Sequence, residues 1–113
     1  MDAFVQPLYE LADFDAIIRQ LKKPGIVQVS GCLDSQKAHF TNGLLREFPF
    51  RLIVAENDLK AKAFYEDFRL YDPEVVYYPA RDQIFYQADI YGNLLTRQRI
   101  QVLRALLERE EVT

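Results

Sequence analysis

Gly31 and Lys37 stand six residues apart, between a β-rich run at 26–30 (Ile-Val-Gln-Val-Ser) and the first residues of an apolar-periodic segment. That is the register of a phosphate-binding loop, Gly-x-x-x-x-Gly-Lys-[Ser/Thr]. In such a loop backbone N–H groups cradle the phosphates, the lysine reaches them, and the hydroxyl holds magnesium. Two of its four defining positions are altered here. Gln36 replaces the second glycine, whose freedom to adopt positive φ lets the backbone approach a phosphate closely. Ala38 replaces the hydroxyl and offers magnesium no ligand. Asp34 adds a carboxylate that repels phosphate, and Asp34 and Ser35 read as caps of the following helix. The expectation is a degenerate P-loop remnant, Gly31 and Lys37, that binds no cofactor and has no catalytic residue. Spacing alone equally allows an ordinary strand-to-helix turn carrying a surface lysine.

Other reactive side chains are sparse. Cys32 lies near a helix N-terminus, which favours a thiolate, but no second cysteine is present to resolve it. His39 is the only histidine, so one His and one Cys fall short of a zinc ligand set and no metal is expected. Tyr77, Tyr78, Phe85, Tyr86 and Tyr91, flanked by Arg81, Arg97 and Arg99, are the candidate interaction surface. Interleaved aromatic and basic groups of this kind bind single-stranded nucleic acid. Asp72, Glu74, Asp82 and Asp89 oppose that reading, which leaves packing of the loop and solvated arginines as the alternative. Glu66, Asp67, Glu108, Glu110 and Glu111 read as exposed helix faces and ends.

The elements that position these residues follow from periodicity. Phe14, Ile17, Ile18 and Leu21 form an i, i+3, i+4, i+7 stripe with Asp13 as N-cap and Pro24-Gly25 as a stop, so residues 1–24 are a helical lead-in. A second helix fits 35–47 with Ala38, Thr41, Leu44, Leu45 and Phe48 on one side. A third fits 58–71 with Asn57 as cap and Ala61, Phe64, Tyr65 and Phe68 inward, and Asp72-Pro73 breaks it. A fourth runs from Gly92-Asn93 to Arg109 with Ile100, Leu103, Leu106 and Leu107 inward. Between them, 26–30, 50–55 and 75–78 read as strands, and Val112-Thr113 as the start of another. The run at 50–55 shows little alternation, as in a strand covered on both faces. Strands alternating with helices predict an α/β fold: three layers, a mostly parallel sheet and helices on both faces.

With 113 residues, a hydrophobic share of 50% and few Gly and Pro, the chain suits one domain, residues 1–113, with a real core. The net charge of −3 disfavours wrapping nucleic acid unaided. No apolar run is long enough for a membrane span, and acidic residues at 2, 10, 13 and 15 oppose a signal peptide. A cytoplasmic protein with no membrane partner is expected.

Several blocks resemble the N-terminal region of the bacterial transcription-repair coupling factor (Mfd) family. They are Val27-Gln28-Val29-Ser30-Gly31, Asp34 to His39, Lys62-Ala63-Phe64-Tyr65-Glu66-Asp67, Tyr78-Pro79-Ala80-Arg81-Asp82, and Asn93 to Val102-Leu103. The last, an Asn-Leu-x-x-Arg-Gln-Arg helix after a Tyr-Pro-Ala loop, is the most specific. That region is similar to the first domain of UvrB, a helicase-like nucleotide-excision-repair protein, without a working ATP site and without UvrB's long β-hairpin. The resemblance implies a P-loop NTPase-like fold and a non-catalytic scaffold, the front fragment of a larger protein. The whole protein would be an ATP- and magnesium-dependent DNA translocase that displaces stalled RNA polymerase and recruits UvrA. Implied partners are the downstream domains of the same chain and, for the whole protein, UvrA, RNA polymerase and double-stranded DNA. A divergent P-loop ATPase and a single-stranded nucleic-acid module are the competing readings.

Overall fold

The computed structural model describes residues 3–80 and 90–113, the side chains of 90–92 excepted. They form a 3-10 helix, Gln6–Glu10, and four α-helices: α1 Phe14–Leu21, α2 Asp34–Leu45, α3 Asp58–Phe68 and α4 Ile90–Glu108. The chain divides into two compact units, Met1–Phe48 and Pro49–Thr113.

In the first unit the apolar stripe of α1 builds the core. Leu8, Phe14, Ile18 and Leu44 are buried together, with Ile17, Leu21, Phe40 and Leu45 packed against them. Phe14 meets the rings of Tyr9 and Phe40 edge-on, at centroid distances of 5.1 and 5.6 Å. Gly43 lets α2 come this close: a Cβ there would overlap the Leu8 side chain and press on Phe14. In the second unit Phe68, Pro79, Val102, Ala105 and Val112 are buried, and the Phe64 and Phe68 rings stack at 5.8 Å. Asn57 caps α3 by accepting from the Lys60 N–H at 2.9 Å. Beyond Phe68 the chain winds on through turns, the Asp72 N–H donating to the Phe68 carbonyl at 3.0 Å.

The expected α/β architecture is not what the chain adopts. Among the described residues there is no sheet and no strand, and the architecture is all-helical. Residues 26–30, 50–55 and 75–78 form no strand, and an isolated parallel bridge between Phe50 and Val112 and one Val76 N–H to Thr113 carbonyl bond are all the backbone pairing they show among the described residues. The physical reason is that a strand exists only through a neighbour's main-chain groups. Residues 26–30 make no backbone hydrogen bond to another described residue. Exposure along 51–55 alternates, with Leu52 and Val54 at 88% and 83% and their neighbours half-buried. One face of that run is covered, not two. The inward face of α4 is corrected as well: Val102 and Ala105 are buried, while Ile100, Leu103, Leu106 and Leu107 are exposed.

Phe14→Ala removes the ring around which the first unit is packed and should lower its stability by about 3–5 kcal/mol. Urea denaturation followed by far-UV circular dichroism measures this, and a loss below about 1 kcal/mol would show that the core lies elsewhere.

Candidate functional site

At the phosphate-loop position only the first glycine keeps its expected backbone role. Gly31 has φ +89°, the left-handed region that glycine tolerates. Two residues later Leu33 is already the N-cap of α2. Asp34, Ser35 and Gln36, which would have to bend around a phosphate, are helical instead. Asp34 and Ser35 are not the cap. The side chain of Gln36 turns back to accept from the Leu33 N–H at 3.3 Å, and its own N–H donates to the Leu33 carbonyl at 2.9 Å. Lys37 extends to Asp34, Nζ to Oδ1 at 2.5 Å. That hydrogen bond, and then the Asp34 charge, hold the Lys37 ammonium above its ordinary pKa of 10.5. Ala38 is buried, so the position that would offer magnesium a hydroxyl faces the interior. The segment has the chemistry of a capped helix start and not of an anion cradle.

Cys32 is half-buried, a free thiol beside this turn. His39 Nε2 bonds to the Phe4 carbonyl. A carbonyl only accepts, so the ring carries its proton on Nε2 and ties the N-terminal turn to α2. Among the described residues no three His, Cys, Asp or Glu side chains gather as a metal cluster.

The candidate basic surface does not come together on α4. Arg97 and Arg99 are two positions apart, roughly 200° around the helix, so they project from nearly opposite sides. Arg97 is exposed. Arg99 lies over the Tyr78 ring at 4.4 Å and donates to its hydroxyl at 2.5 Å, a cation–π contact with a hydrogen bond. Arg81, Asp82, Phe85, Tyr86 and Asp89 lie outside the described residues, as does the side chain of Tyr91. Tyr77 donates its hydroxyl to Asp58 at the start of α3. Burial, and then this bond to Asp58, push its phenol up to about 12.

The most enclosed polar constellation was not among the expected site residues. Arg51 Nη2 reaches Asp72 Oδ2 at 3.2 Å, with side-chain exposures of 10% and 19%. Thr113 Oγ1 donates to the same Oδ2 at 2.7 Å, and Asp72 Oδ1 accepts from the Glu74 N–H at 3.0 Å. Arg51 Nε is buried without a hydrogen-bond partner. The available signal was a charged residue heading the apolar run 50–55. Next to this network lies an apolar groove of about 360 Å³. It is lined by 50–53 and 55, by 75–78, and by Phe64, Phe68, Val102 and Leu106 of α3 and α4. With Arg51 as its one cationic lining residue the groove resembles an apolar docking surface more than a reaction centre.

Set against protein-family models, curated proteins and solved structures, the chain matches none. Among the described residues no helix is long and apolar enough to cross a membrane.

Asp72→Ala leaves Arg51 enclosed without its counter-charge. Breaking a buried pair in this way costs roughly 3–5 kcal/mol, and the residual exposure of both groups places the expected loss near about 3 kcal/mol in urea denaturation. A change within about 0.5 kcal/mol would show that the network does not hold the unit together. For Tyr77 the sign follows from a folded pKa above the unfolded one. Its contribution to stability is complete below about pH 10 and fades as pH rises towards about 12. Absorbance titration should show a late-ionising tyrosine that disappears in Tyr77→Phe. Uniform ionisation of all seven tyrosines near pH 10 would contradict this.

Proposed function

We propose that residues 1–113 are a non-catalytic scaffold segment from the N-terminal part of a transcription-repair coupling factor. In this reading the whole protein is a cytoplasmic, ATP- and magnesium-dependent DNA translocase that displaces stalled RNA polymerase and recruits UvrA. The segment itself holds no nucleotide and serves to support neighbouring domains of the same chain.

The observation that carries the non-catalytic part is the early start of α2. With Asp34, Ser35 and Gln36 wound into the helix and Lys37 paired to Asp34, the turn before α2 has neither the open backbone nor the available ammonium that a triphosphate requires. The family assignment is supported by the sequence blocks between residues 27 and 103 and does not draw on a shared fold. The stacking of Arg99 on Tyr78 weighs against an open basic surface for single strands, since both a cation and a ring are already engaged.

Isothermal titration with Mg-ATP tests the reading. The expected result is no binding tighter than about 1 mM and no phosphate release. Micromolar binding that Lys37→Ala abolishes would overturn it in favour of a divergent ATPase.

A further inference from the structure

We draw no further inference here: the strongest candidate, the cleft between α3, the 75–79 run and α4 that Lys62, Gln98 and Gln101 line, carries nothing because residues 81–89, which join two of its walls, lie outside the described residues and nothing in the structure shows what covers it.

Discussion

The carboxylate of Asp72 is the point on which the Pro49–Thr113 unit turns. One oxygen accepts from Arg51 and Thr113 together, and the other accepts from the Glu74 N–H. Three stretches far apart in sequence, the run after Pro49, the turn after α3 and the end of the described chain, therefore meet at a single side chain. The Asp-Pro-Glu order makes this local geometry favourable. Asp72 closes a short side-chain turn onto the second residue beyond it, and Pro73 fixes the backbone between them. Enclosing a guanidinium is costly unless its donors are met. Here Nη2 is met and Nε is not, so the network constrains where Arg51 lies more than it contributes net stability. Where Arg51 lies decides where the 50–55 run begins, and hence the wall of the apolar groove.

The helices were legible because their cause is local. An i, i+3, i+4 stripe needs no other part of the chain to exist, and every interior N–H finds its carbonyl four residues back. Phe14, Ile18, Ala38, Leu44 and Phe68 all face inward where periodicity places them. The strands were not legible for the converse reason. A β-rich composition at 26–30 or 50–55 states a preference for extended backbone, but pairing depends on a partner at a distance that no local pattern encodes. The face of α4 failed differently. Its larger residues Ile100, Leu103, Leu106 and Leu107 define the more conspicuous stripe, but Val102 and Ala105 are the ones buried. Burial on a helix depends on which side the rest of the chain covers, and a count of hydrophobic residues does not reveal that.

Within the candidate site, the departures from a phosphate-loop pattern could be read from residue types, and the backbone geometry that accompanies them could not. Replacing the second glycine of a phosphate loop looks at first like a steric change, a Cβ where backbone should touch a ligand. The geometry around Gln36 gives it a second effect. Glycine inside a helix is disfavoured by about 1 kcal/mol relative to good helix formers, and glutamine is among the latter. With Gln at 36 nothing resists extending α2 towards its N-terminus, and the amide side chain returns to bond the Leu33 N–H, stabilising the longer helix. Extending the helix to Asp34 then sets Asp34 and Lys37 at i, i+3, the spacing at which their charges meet. The missing glycine, the early helix start and the engaged lysine are therefore successive consequences of one residue. A glycine placed at 36 alone would loosen the helix start while leaving the Asp34 carboxylate and the buried Ala38 in place.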